Sequence, residues 1–101
     1  MKVYRVVFTP QAQEQLLALS AYVTEAASTL VAERFTDAII AYCESLSSFA
    51  LRGARRDDIR PGLRITNYRG GTTIAFAVED TQVTIVGIYY GGMDYESLLS
   101  G

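Results

Sequence analysis

The sequence predicts an α+β domain of order β-α-α-β-β-β, an antiparallel sheet packed against an N-terminal helical hairpin. Apolar residues recur with a helical period over residues 10–49 and with a period of two over residues 63–90. Turn signals punctuate the second stretch, so its strands follow one another as hairpins. The chain has 101 residues, 50% apolar and 20% charged, which suits one domain over residues 1–101. A chain of this size buries a core without metal or disulfide staples.

Val3-Tyr4-Arg5-Val6-Val7-Phe8 is rich in β-branched and aromatic types and reads as a strand. Thr9-Pro10 then starts a helix: Thr9 caps it, and Pro10 at its first position loses no needed N–H. Ala12, Leu16, Leu19 and Val23 form its stripe, widened by Leu17 and Ala18. Ser28 or Thr29 caps a second helix, whose expected apolar face is Val31, Phe35, Ala38, Ile39, Tyr42, Leu46 and Phe49. The short join makes the two helices an antiparallel hairpin. Residues 51–62 read as a loop that ends in the turn Pro61-Gly62.

Leu63 and Ile65 then alternate with Arg64 and Thr66, and Arg69-Gly70-Gly71 turns the chain. Ile74, Phe76 and Val78 form the face of the next strand, and Glu79-Asp80-Thr81 turns again. In the last strand strict alternation puts Val83, Ile85 and Tyr89 on one face, while Val86 and Ile88 make the other face apolar. A strand apolar on both faces is central, so the first strand is expected beside it. Gly91-Gly92 ends that strand, and Asp94 caps a short terminal helix carrying Leu98 and Leu99. Residues 94–101 are expected to add little to the core.

Composition removes several classes of chemistry. There is no histidine, which excludes triads, imidazole bases and His-ligated zinc. Cys43 is the only cysteine, so neither an internal disulfide nor a multi-cysteine metal site exists. No cofactor or metal is expected; the adjacent Asp57 and Asp58 read as loop caps. No apolar run approaches the roughly 20 residues of a spanning helix, so no membrane partner is expected and the expected location is the cytoplasm.

The net charge of −2 conceals an asymmetry. Residues 52–69 hold Arg52, Arg55, Arg56, Arg60, Arg64 and Arg69 against two aspartates, whereas residues 70–101 hold four acids and no Lys or Arg. Such a cluster either grips an acidic partner or forms a solvated loop of Arg–Asp pairs. Tyr89 and Tyr90 are consecutive and point to opposite faces, so one is expected in the core. Cys43 reads as an inert small residue beside the second helical stripe.

Several segments in order resemble the RelE/ParE superfamily of type II toxin–antitoxin toxins. They are Phe8-Thr9-Pro10-Gln11-Ala12, Ala32-Glu33-Arg34-Phe35, Asp57-Asp58-Ile59-Arg60-Pro61-Gly62-Leu63-Arg64, Ile74-Ala75-Phe76-Ala77-Val78, and Val86-Gly87-Ile88 through Met93-Asp94. The last looks like the ParE-type ending. The chain departs from the family where a His and an Arg often precede the Met-Asp: those places hold Tyr90 and Gly92, so the contacts they make elsewhere are not carried over.

The resemblance implies a toxin, associated with plasmid stabilisation, that a cognate antitoxin neutralises in a stable complex. It implies an antitoxin- or target-binding surface drawn from Arg55, Arg56, Arg60, Arg64, Arg69, Tyr90, Met93 and Asp94. ParE-like members of the superfamily are associated with poisoning DNA gyrase by binding, whereas RelE-like members cleave mRNA on ribosomes. For a nuclease the candidates are Arg64 and Arg69 on the phosphate and Tyr89 or Tyr90 as proton relay. An unperturbed tyrosine is a poor base, and Lys2 is the only lysine. A ribosome-bound nuclease should also be strongly basic. The expectation is therefore a ParE-like binding poison without catalytic residues and without direct sequence-specific nucleic-acid binding. The alternatives are a nuclease and a non-toxic homologue acting as a binding module.

Overall fold

The computed structural model describes residues 3–69 and 71–100; Met1, Lys2, Gly70 and Gly101 lie outside the described residues. The elements are β1 (Arg5–Phe8), α1 (Pro10–Ala26), α2 (Thr29–Ser45), β2 (Ala54–Arg55), β3 (Leu63–Tyr68), β4 (Thr72–Val78), β5 (Gln82–Tyr90) and α3 (Tyr95–Ser100). They form a five-stranded sheet in the order β1-β5-β4-β3-β2. The first strand lies beside the last, in parallel register, with Arg5 opposite Gln82 and Phe8 opposite Ile85; the other pairs are antiparallel. Within the segment read as a loop, Ala54 and Arg55 pair with Ile65 and Arg64 and add an edge strand.

Both hairpin helices start at the expected caps. The Thr9 hydroxyl accepts from Ala12 N at 3.1 Å, and the Ser28 hydroxyl accepts from Val31 N at 3.1 Å. The α1 stripe buries Ala12 and Leu19, with Leu16 and Val23 packed at its edge, but Leu17 and Ala18 face solvent. The buried line of α2 is Ala32, Ile39 and Cys43, continuing to Leu46. Val31, Phe35 and Phe49 are exposed instead. The face is rotated from the expected one, with the small Ala32 and Cys43 inward in place of the larger Val31 and Phe35. Burial pushes the Cys43 thiol up to about 12, with Glu44 adding to the rise, so it is not a nucleophile at neutral pH.

The sheet is apolar on both faces. The hairpin side holds Ile74, Phe76, Val83, Ile85 and Ile88 in one cluster with Leu19, Ile39 and Leu46. The opposite face holds Leu63, Ile65, Ala75 and Tyr89 in a second cluster, which Leu99 of α3 closes. The terminal segment is thus part of a core, contrary to the expectation: Leu99 is 3% exposed, whereas Leu98 is 50% exposed.

A bulge decides which β5 residues face the hairpin. Phe76 is opposite Ile85 and Ala75 is opposite Gly87, so Val86 is the extra residue. One inserted residue reverses the parity of everything after it. Ile88 therefore joins Val83 and Ile85 on the hairpin side, and Tyr89 goes to the other face, so the expected Val83-Ile85-Tyr89 face does not form. The polar groups that the bulge displaces are met by the start of α1. The Thr9 hydroxyl donates to Val86 O at 3.3 Å, and Ile88 N donates to the Gln15 side-chain oxygen at 2.7 Å.

Candidate functional site

The arginine segment begins at β2 and is folded by its own aspartates. Gly62 N donates to Asp57 Oδ1 at 2.8 Å, which closes the turn. Arg55 pairs with Asp57 at 2.9 Å and Arg56 with Asp58 at 2.9 Å. Arg56 also reaches Glu96 of α3 at 2.5 Å and donates to the Tyr95 hydroxyl at 3.3 Å. Arg60 donates twice to the Leu99 carbonyl, at 3.2 and 3.0 Å. That carbonyl lies in the last turn of a helix, where backbone acceptors lack intrahelical partners. Asp94 starts α3 by accepting from Ser97 N at 3.3 Å and from the Ser97 hydroxyl at 2.7 Å. Arg56 and Arg60 thus hold α3 by its two ends over the second cluster.

The remaining arginines of the cluster are also placed. Arg64 donates to the Leu51 carbonyl at 2.9 Å. The Arg52 guanidinium lies 5.3 Å from the Tyr42 ring centre and 5.2 Å from that of Phe49. Arg69 lies 5.5 Å from the Tyr68 ring centre, at the β3–β4 turn. The cluster is therefore spread between loop closure, the α3 clasp and two aromatic stacks. Tyr90 is half-buried on the hairpin side with its ring 5.9 Å from that of Tyr22, and Met93 is exposed just before α3.

The carboxylates that organise the segment are all held below their ordinary range: Asp57 chiefly by the Gly62 N–H and then by Arg55, Asp58 by Arg56, and Asp94 by Ser97. A lowered folded-state value stabilises the fold at pH above the unfolded value of 3.8. That contribution is lost as pH falls through the lower folded values. Thermal melts should therefore be nearly flat from neutral pH down to about 5 and fall below about 4. Asp57→Asn should melt earlier than the parent at neutral pH and converge with it in acid. Parallel curves for the two proteins would show that Asp57 does not contribute.

Of the residues named for a nuclease, Arg69 and Tyr90 line one depression, whereas Arg64 and Tyr89 lie away from it. Arg64 is the second residue of β3 and Arg69 follows its end, about 16 Å along the strand at ~3.3 Å per residue. Tyr89 faces α3 while Tyr90 faces α1. The Tyr89 hydroxyl is buried and has no hydrogen-bond partner among the described residues. Among those residues, no three His, Cys, Asp or Glu side chains group as metal ligands. Sequence reasoning passed over Tyr95 and Glu96, the α3 side of the clasp. Their partner Arg56 is some 40 positions away, and local spacing carries no signal of that pairing.

Residues 6–95 match the family model of the ParE toxin of the type II toxin-antitoxin system, parDE. The chain belongs to the ParE toxin family. Its fold is similar to that of a chain in the chromosomal ParDE toxin–antitoxin system from P. aeruginosa, with a TM-score of 0.74 and 22% identity over 87% of this chain and 96% of that one. It is also similar to a chain in the toxin–antitoxin complex RelBE2 from Mycobacterium tuberculosis, with a TM-score of 0.64 and 22% identity over 88% of this chain and 99% of that one. No curated protein sequence matches the chain. The same fold thus occurs in a chain of a ParDE system and in a chain of the RelBE2 complex, so fold alone does not assign a target. No helix among the described residues is long and apolar enough to cross a membrane.

Proposed function

We propose that this ParE-family toxin acts in the cytoplasm by binding DNA gyrase, and that a cognate antitoxin holds it inactive in a stable complex. The observation that carries the reading is the family match over residues 6–95. Two features of the chain support binding over catalysis. Only Arg69 and Tyr90 of the four nuclease candidates share a depression, with Arg64 and Tyr89 away from it, and a net charge of −2 is poorly suited to a surface rich in RNA phosphates. Both solved relatives named above come from toxin–antitoxin systems, which supports an antitoxin as partner.

The purified chain should inhibit supercoiling by gyrase or accumulate cleaved DNA, and leave mRNA intact on added ribosomes. Tyr89→Phe and Tyr90→Phe should each retain inhibition. A nuclease loses rate when a proton-carrying hydroxyl is removed, whereas a binding poison keeps its contact area. Cleavage of mRNA in the presence of ribosomes, abolished by either substitution, would overturn the gyrase reading in favour of the endonuclease.

A further inference from the structure

Between α1, α2 and β1, two adjoining depressions of about 320 and about 400 Å³ share Gln13, Leu16 and Ile40 in their walls. Together they form one groove, which Leu17 extends along the hairpin and Val6, Val7 and Phe8 extend to the sheet edge. From Gln13 to Ser20 it follows about 10 Å of α1, room for about two turns of a helix laid alongside. Leu17, which the sequence pattern counts toward the core stripe, is 72% exposed here. Polar side chains of the walls are turned to the chain's own backbone: Gln13 Nε2 donates to Phe8 O at 3.1 Å, and the Thr36 hydroxyl donates to Ala32 O at 3.0 Å. What the groove offers a partner is mainly apolar, and apolar groups gathered at one place on a surface mark contact sites.

The charge around the groove has one sign. The two helices carry Glu14, Glu25, Glu33, Asp37 and Glu44 against Arg34 alone, and Arg34 lies on the other flank of α2, beside Phe35 and Tyr68. Residues three or four apart are neighbours on a helix, so Asp37 and Glu44 border Ile40, and Glu14 borders Leu17. Buried Cys43 marks the core side of Ile40, which puts the exposed Asp37 and Glu44 on its outer side. None of these three carboxylates forms an ion pair with another described residue. The edge of β1 favours a helix over an added strand. Arg5 N and Thr9 N donate to Thr81 O and Ile85 O beside β5, so the even-numbered residues between them turn their backbone groups outward. Tyr4 N donates to Ser47 O at 2.8 Å and Phe8 O accepts from Gln13, so the chain itself closes both ends of that edge.

We infer that this groove docks a basic amphipathic helix of a partner protein, whose apolar side chains cover Leu16, Leu17 and Ile40 while its Lys or Arg side chains pair with Glu14, Asp37 and Glu44. Helix-in-groove recognition uses apolar anchors three or four residues apart, and complementary charge sets the sign of the partner. A second copy of this chain would bring two acidic rims together. Nucleic acid or an anionic membrane would meet the same carboxylates and be repelled. The inference does not rest on the gyrase reading, because the groove and its sign are properties of the chain alone.

The test is fluorescence anisotropy of the purified full chain with two labelled amphipathic helical peptides of about 18 residues, one of Leu and Lys and one with Glu in place of each Lys. The Lys peptide should bind at least about tenfold more tightly than the Glu peptide. Leu17→Gln and Asp37→Lys, both at exposed helix positions, should each weaken its binding about fivefold or more with melting temperatures unchanged. Glu79→Lys, the same change of charge in the β4–β5 turn, should leave binding within about twofold of the parent. Absence of binding, preference for the Glu peptide, or equal loss in Asp37→Lys and Glu79→Lys would overturn the inference, the last because only net charge would then be at work. Sedimentation equilibrium should show no dimer held by this face. A dimer that Leu17→Gln dissociates would overturn the inference and assign the groove to a second copy of the chain. None of these readouts involves gyrase, so a negative result leaves the proposed target to its own assay.

Discussion

Replacing Leu99 by alanine is expected to destabilise the protein by about 2–5 kcal/mol, the range for emptying a buried leucine site. In a domain of this size that is a fall in melting temperature of at least about 10 °C. Leu98→Ala, one position earlier, should stay within about 0.5 kcal/mol of the parent. The contrast follows from burial: Leu99 is 3% exposed and closes the cluster of Leu63, Ile65, Ala75 and Tyr89, whereas Leu98 is 50% exposed. Deleting residues 95–101 should cost more than Leu99→Ala, since it also removes the carbonyl that Arg60 holds and the Tyr95 and Glu96 groups that Arg56 holds. The bared sheet face should then bind a hydrophobic dye. Thermal melts of the parent, the two alanine variants and the truncation decide it. Equal melting of the two alanine variants would mean that α3 is not docked in solution.

The parts of the fold with local causes are legible in the sequence. Thr9-Pro10 and Ser28 start helices because a hydroxyl oxygen three residues before an N–H is the cheapest partner for it. The alternation over Ile74, Phe76 and Val78 places those side chains on the hairpin face, as period two requires. The failures are equally physical. Gly87 inside the strand is the one local sign of a bulge, but it does not say that Val86 is the extra residue, and one extra residue sends Tyr89 to the face opposite the expected one. The bulge is stabilised by Thr9 and Gln15, more than 70 positions away. On α2 the large Val31 and Phe35 face out while the small Ala32 and Cys43 join Ile39 in the core, so side-chain size does not mark the buried face. At the candidate site the wealth of arginine is evident in the sequence, but its division between loop closure, the α3 clasp and aromatic stacking depends on contacts that composition does not encode.

Gly53→Ala is expected to be as damaging as the loss of Leu99, for a reason confined to the backbone. Gly53 has a φ of +81°, and a methyl group there would fall on the Ile65 carbonyl oxygen. The left-handed conformation alone costs alanine roughly 1–2 kcal/mol. Gly62 provides the comparison, since its φ is +79° but nothing lies near its missing side chain. Gly62→Ala should therefore pay the conformational cost only, and Gly53→Ala should exceed it by about 1–2 kcal/mol or more as β3 is pushed away. The displaced pair is β2 against β3, with Ala54 opposite Ile65, so the damage lands on the strand that sets Arg55 and the adjoining Arg56. Once β2 detaches, the Arg56 clasp on Glu96 loosens with it. Limited trypsin digestion should then cut after the arginines of residues 51–62 faster in Gly53→Ala than in Gly62→Ala. Identical melting and identical cleavage of the two variants would mean that β2 does not hold the arginine segment in place.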